Sequence, residues 1–266
     1  LPRARKDTVG EYSTRRKAGK FKIQNSKFKI EKYNQRYFFS QKKLQNWRFR
    51  AYIKLLSFFP QIKLVGLSGS LAMMNTDEED DIDLFIITAK KRLFTGRFIA
   101  VILAKILGIH RFYNKSYKLQ VTSYINKVCL NLFFDESDLA VPEFKRNLYV
   151  AHEVLQMKPI VNKNNTYEKF LEVNSWVFEV FPNSKLNIKY QISKLHIKNQ
   201  NHLNNFGFLI VILRFAFCIL NFLAVKIEEA LKSFQMFFIK KHQTNEIITS
   251  TQLWFHPEDF GKKLRF

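Results

Sequence analysis

The stretch Val65-Gly66-Leu67-Ser68-Gly69-Ser70, followed after ten residues by Asp81-Ile82-Asp83-Leu84-Phe85-Ile86-Ile87-Thr88, constrains the fold more than any other part of the chain. The apolar run Ile62 to Leu67 has the composition of a buried strand, and Leu71-Ala72-Met73-Met74 has that of a helix start. Ser68-Gly69-Ser70 between them then forms a tight turn whose backbone N–H groups face whatever lies above it. A glycine admits close approach of an anion, and a helix N-terminus carries partial positive charge, so a triphosphate suits this turn. In the second half, Asp81 and Asp83 alternate with Ile82 and Leu84, which predicts a strand with both carboxylates on one face and the aliphatics in the core. Two carboxylates on one face repel unless a cation lies between them. Mg²⁺ takes such oxygen ligands, commonly one or two carboxylates plus substrate phosphates, and Mn²⁺ serves similarly. Asp77, Glu78, Glu79 and Asp80, just before the strand, read as solvated loop surface.

These residues resemble the polymerase-β-like nucleotidyltransferases, in particular the minimal nucleotidyltransferase type. The matching positions are Gly69, Ser70, Asp81 and Asp83, firmly within residues 62–88 and more loosely to about residue 160. The resemblance implies an α/β (α+β) fold with a short mixed sheet flanked by helices. It implies metal-dependent transfer of a nucleoside monophosphate from an NTP to an acceptor hydroxyl or phosphate, with release of pyrophosphate. Ser68, Gly69 and Ser70 would hold the nucleotide, and Asp81 and Asp83 the Mg²⁺ or Mn²⁺. The family pattern places a third acid on a later strand. The best later strand here is Val128 to Phe134, whose polar candidate is Asn131; Asp135 has the same strand parity. Asn131 or Asp135 would occupy the third position; an amide oxygen can ligate a metal but cannot serve as a base, so either Asp135 takes that role or the acceptor is deprotonated otherwise. The departure also admits a second reading, a catalytically degenerate copy that binds nucleic acid.

Charge supports partners that are polyanions. The chain carries a net charge of +22, and residues 1–50 hold 16 Lys or Arg against the acids Asp7, Glu11 and Glu31. Aromatics interleave this segment at Phe21, Phe28, Tyr33, Tyr37, Phe38, Phe39 and Trp47. They suit either stacking on bases or the packing of a small β-element. A hydrophobic content of 47% excludes a disordered chain. The predicted organisation is a basic N-terminal segment over 1–45, a nucleotidyltransferase domain over 46–160, and a C-terminal helical region over 161–266. The first residue is Leu1 rather than Met, which reads as a fragment or processed product, so the basic segment is a candidate remnant of an upstream domain.

The remaining signals are weaker. Arg92 to Lys105 reads as an amphipathic helix ending near Gly108, and its Arg97 is a candidate for the nucleotide's phosphates. Tyr149 to Met157 and Tyr167 to Phe181 read as helices interrupted at Pro159. Residues 206–225 are nearly continuous apolar sequence, long enough to span a bilayer or to form a core helix, with Arg214 near the centre. Cys129 and Cys218 lie in apolar runs and read as buried hydrophobes of a reducing compartment. With no signal-peptide pattern at the start, the expectation is a cytoplasmic protein, membrane-associated if residues 206–225 insert. The six histidines show no ligand spacing. Thr244 to Glu246 reads as a short helix start, and Trp254 to Asp259 shows no chemistry beyond a structural role.

Overall fold

The computed structural model describes residues 30–111, 125–185, 225–240 and 246–255. They form a mixed α/β structure in three layers. The order is α1 (30–45), α2 (Trp47–Phe58), β1 (Ile62–Leu67), α3 (Gly69–Ala72), β2 (Ile82–Thr88), α4 (Leu93–Ile106) and β3 (Val128–Asp135), followed by a 3₁₀ turn at Glu143–Lys145. The chain continues through α5 (Leu148–Gln156), β4 (Lys158–Asn162), α6 (Thr166–Val173), α7 (Val177–Val180), α8 (225–240), β5 (Ile247–Ile248) and β6 (Gln252–Trp254).

The six strands make one sheet in the order β4-β1-β2-β3-β6-β5. β1 runs antiparallel to both β2 and β4, β2 runs parallel to β3, and β6 runs antiparallel to β3. Only the parallel pair needs a long crossover, and α4 lies within it. Alternation along β2 divides the interior. Ile82, Leu84 and Ile86 join the core under α2 and α4, with Tyr52, Leu56, Phe94 and Ala100. Phe85 and Ile87 join a second core under α5, α6 and α7, with Ala151, Val154, Phe170 and Val177. Asp83 shares the parity of Phe85 and therefore faces the α5 side.

Local signals account for some of the boundaries. The Asn46 side chain accepts from Arg48 N at 3.0 Å and Phe49 N at 3.3 Å, capping α2, and Asn147 accepts from Val150 N at 2.9 Å at the start of α5. The helix expected over Tyr167 to Phe181 is divided at Asn174, which is fully buried. Its Nδ2 donates to Leu139 O and Phe170 O, both at 2.8 Å, and its Oδ1 accepts from Val141 N at 2.8 Å. A side chain committed to three backbone groups ends the helix there. Pro159, expected only to interrupt helices, lies in β4. That strand is at the sheet's edge, where a missing N–H is tolerated. Near the C-terminus, Glu246 precedes strand β5 rather than opening a helix, and Leu253 is buried on the sheet.

The described part of the basic segment differs from expectation, whereas the acidic run keeps to it, with Asp77, Glu78 and Glu79 exposed. Residues 30–45 are helical, not a β-element. α1 docks on the acidic turn: Arg36 pairs with Asp77 at 2.7 Å, and the buried Lys43 donates Nζ to Glu78 O at 2.8 Å and Asp80 O at 2.7 Å. Ser40 joins them with a hydrogen bond of 2.9 Å to Thr76 Oγ1. Asp77 to Asp80 is therefore an anchored turn that holds the entry to β2. Tyr33, Tyr37, Phe38 and Trp47 are exposed.

Among the described residues, no helix is long and apolar enough to cross a membrane. The apolar run 206–225, apart from Val225, lies outside the described residues, as do residues 1–29 and Cys218.

Candidate active site

β1 delivers the turn. Ser68 is extended (φ −123°), Gly69 has φ +60°, and Ser68 N donates to Asp83 O at 3.1 Å, which ties the turn to β2. A Cβ on Gly69 would stand 2.6 Å from Asp83 Oδ2. The left-handed backbone and this close approach each select glycine. Gly69 N donates to Glu153 Oε2 at 3.4 Å, so the turn already faces an anion, a carboxylate from α5.

Asp81, Asp83 and Cys129 offer donor atoms that all lie within 4.8 Å of one another. The strand ladder sets this: Asp83 pairs with Cys129 across the parallel β2–β3 pair. Arg111 contacts Asp81 through Nη1, and the same nitrogen is 3.5 Å from Cys129 Sγ. Burial pushes the Asp83 carboxyl up to about 7, reinforced by the charges of Asp81 and Glu153 and partly opposed by a Cys129 hydrogen bond and by Arg111. Glu153 is also raised, first by burial, with the Gly69 N–H opposing. Burial, then the Asp83 and Asp81 charges, push the Cys129 thiol up. This concentration of negative charge in a poorly solvated place is what a cation relieves.

A cavity of about 110 Å³ opens beside Asp83. Ser68, Asn131, Lys145, Tyr149 and Glu153 give it polar walls, while aromatic and aliphatic side chains of the second core close its far side. Burial, Glu153 and Asp83 raise the Tyr149 phenol to about 12.

The structure thus brings together Ser68, Gly69, Asp81, Asp83 and Asn131. Asn131, two residues beyond Cys129, lines the cavity in a stretch where β3 carries one extra residue before Leu132, a bulge that leaves two residues opposite Leu84. Three other candidates stand elsewhere. Ser70 Oγ donates to Asp80 Oδ2 at 3.1 Å, so its hydroxyl closes the acidic turn. Asp135 pairs with Thr88 at the far end of β3, where its carboxylate accepts from Lys91 N at 2.6 Å and Ser137 N at 2.8 Å. Arg97 lies on α4, which packs on the opposite sheet face. It donates to Gln235 Oε1 at 2.6 Å and stacks 4.8 Å from the Phe255 ring centroid, and burial lowers it to about 10.

Four residues escaped the sequence reading: Cys129, Arg111, Lys145 and Glu153. Cys129 had one available signal, as the second residue of the strand that pairs in parallel with the Asp-Ile-Asp strand. The others depend on contacts between distant segments. No family model matches the chain, and neither curated proteins nor solved structures provide a match.

Proposed function

We propose that the chain is a metal-dependent nucleotidyltransferase that moves a nucleoside monophosphate from an NTP to an acceptor hydroxyl or phosphate. The observation that supports this reading is the convergence of Asp81 and Asp83 with a glycine turn that already binds an anion through Gly69 N. Two carboxylates at this separation fit a divalent cation, held by Asp81 and Asp83. Bound there, Mg²⁺ or Mn²⁺ would offset the negative charge of the phosphates.

The chain's own residues supply the rest. The NTP phosphates take up the Gly69 N–H that Glu153 now holds, and Ser68 lies beside them in the cavity wall. Arg111 and Lys145 contribute positive charge around the transferred group. Freed from Gly69, Glu153 accepts the proton of the acceptor hydroxyl; its upward-shifted carboxyl suits a base near neutral pH. The acceptor oxygen bonds to the α-phosphorus as the bond to pyrophosphate breaks. Asn131 orients the acceptor by hydrogen bonding and takes no proton.

The test is incubation with each α-³²P-labelled NTP and Mg²⁺ or Mn²⁺, alone and with total RNA or cell extract. Label should move to an acceptor with the wild type and not with the Asp81→Asn/Asp83→Asn double variant. Transfer that survives the double variant, or no metal-dependent NTP binding at all, would sink the reading. In that event the nucleic-acid-binding alternative follows, with RNA affinity in the double variant equal to or above the wild type's.

A further inference from the structure

We infer that Cys129 is the third ligand of the Asp81–Asp83 cation site, and that the site therefore selects a thiophilic divalent ion of the Mn²⁺, Co²⁺, Zn²⁺ group over Mg²⁺. This rests on the cation site of the transferase reading, and it is tested on the metal alone.

Three observations carry it. The sulfur of Cys129 and the carboxylate oxygens of Asp81 and Asp83 fall within 4.8 Å of one another, the span expected of groups around one ion. That closeness comes from strand register, since Asp83 and Cys129 are ladder partners on adjacent strands, with backbone hydrogen bonds fixing the spacing. The cluster also already draws a cation of its own chain. Arg111 Nη1 contacts Asp81 and stands 3.5 Å from Cys129 Sγ, so a positive group sits at the mouth of this donor set.

The competing third donors differ in kind or in place. Asn131 lies in the β3 bulge and lines the cavity beside Asp83, but its amide oxygen is a neutral donor. Asp135 is committed to Lys91 N and Ser137 N at the other end of the strand. A buried thiol in this position is a poor partner for Mg²⁺, a hard ion that prefers oxygen and gives up its water reluctantly. Thiolate sulfur favours softer ions, and affinity rises from Mn²⁺ through Co²⁺, with Zn²⁺ also bound strongly. On ligation Cys129 loses its thiol proton to solvent as the metal–sulfur bond forms, and Arg111 withdraws from Asp81.

Co²⁺ titration under reducing, oxygen-free conditions tests the inference, with absorbance as readout and no nucleotide present. The Cys218→Ala background removes the other cysteine. The expected result is a near-ultraviolet sulfur-to-cobalt charge-transfer band that excess Mg²⁺ fails to displace. Cys129→Ser should lose the band and lower Co²⁺ affinity on the order of 10–100-fold, comparable to disturbing a metal site's supporting shell. Cys129→Asp restores an oxygen donor, and in it Mg²⁺ should displace Co²⁺; circular dichroism confirms that each variant is folded. A Co²⁺ complex without the band, easy displacement by Mg²⁺ in the cysteine-bearing protein, or no Co²⁺ binding would overturn the inference. The first two outcomes leave label transfer with Mg²⁺ intact, so they are distinct from failure of the transferase reading.

Discussion

The two ends of the β2–β3 strand pair each carry a carboxylate, and they are built on opposite principles. At one end Asp135 is 1% exposed and accepts from Lys91 N, Ser137 N and the Ser137 hydroxyl. At the other, burial pushes the Asp83 carboxyl up to about 7, and the charges of Asp81 and Glu153 add to the shift. A buried carboxyl group supplied with N–H and O–H donors has its hydrogen-bonding needs met and serves structure. One crowded by other anions is unsettled, and its surroundings improve only when a cation or a proton arrives. The donors, not the residue type or its depth, separate the structural acid from the chemical one.

Removing each carboxylate should therefore have opposite effects on stability. Asp135→Ala strips the acceptor from two backbone N–H groups and a hydroxyl, and charge-assisted bonds of this kind contribute about 1.5–3 kcal/mol each. A loss of about 4 kcal/mol is expected in denaturant unfolding, the largest effect at either end. Asp83→Asn should stabilise the protein at pH 8 by about 2–3 kcal/mol, since each pKa unit is worth about 1.4 kcal/mol. The sign follows from proton uptake. With its folded-state carboxyl near 7, Asp83 keeps a proton that the unfolded chain releases near pH 4, so stability falls as pH rises between those values. The gain in Asp83→Asn should shrink as pH falls from 8 and vanish near pH 4. Equal stability of wild type and Asp83→Asn across this range would break the comparison.

Smaller changes sharpen it. Gly69→Ala meets both a left-handed backbone and Asp83 Oδ2 at 2.6 Å, and about 1–2 kcal/mol of destabilisation is expected, with weaker NTP binding by calorimetry. Arg111→Gln removes one partly exposed cation from Asp81 and should lower stability by under about 1 kcal/mol. Its clearer readout is Asp83, whose titration by NMR should move further upward when that positive charge is gone.

The chemical end of the strand pair was half legible in the sequence. The β1–turn–β2 unit depends on short-range patterning: an apolar run, a Ser-Gly-Ser turn, and an alternation of acids with aliphatics that fixes which face is buried. The same alternation settles why Arg97 missed. α4 covers the face of Ile82, Leu84 and Ile86, so a basic residue on that helix stands behind the sheet from Asp83. The choice among Asn131, Asp135 and Cys129 required the register of β3 and its bulge, which no local pattern encodes. Glu153 was hidden for another reason: a single acid on an amphipathic helix looks like solvated surface until tertiary packing turns it toward Gly69. The acidic run is solvent-exposed as its charge suggests, but the Lys43 and Arg36 that anchor it come from a helix more than 30 residues earlier.

The most direct test of the contrast is thermal unfolding at pH 7.5 with and without saturating Mn²⁺, for wild type, Asp83→Asn and Asp135→Asn. A ligand at about 100 times its dissociation constant stabilises by about 2.7 kcal/mol. The expected result is a clear rise in Tm for wild type, a rise of similar size in the weakened Asp135→Asn protein, and none in Asp83→Asn. An equal rise in Asp83→Asn, or no response in the wild type, would contradict the account.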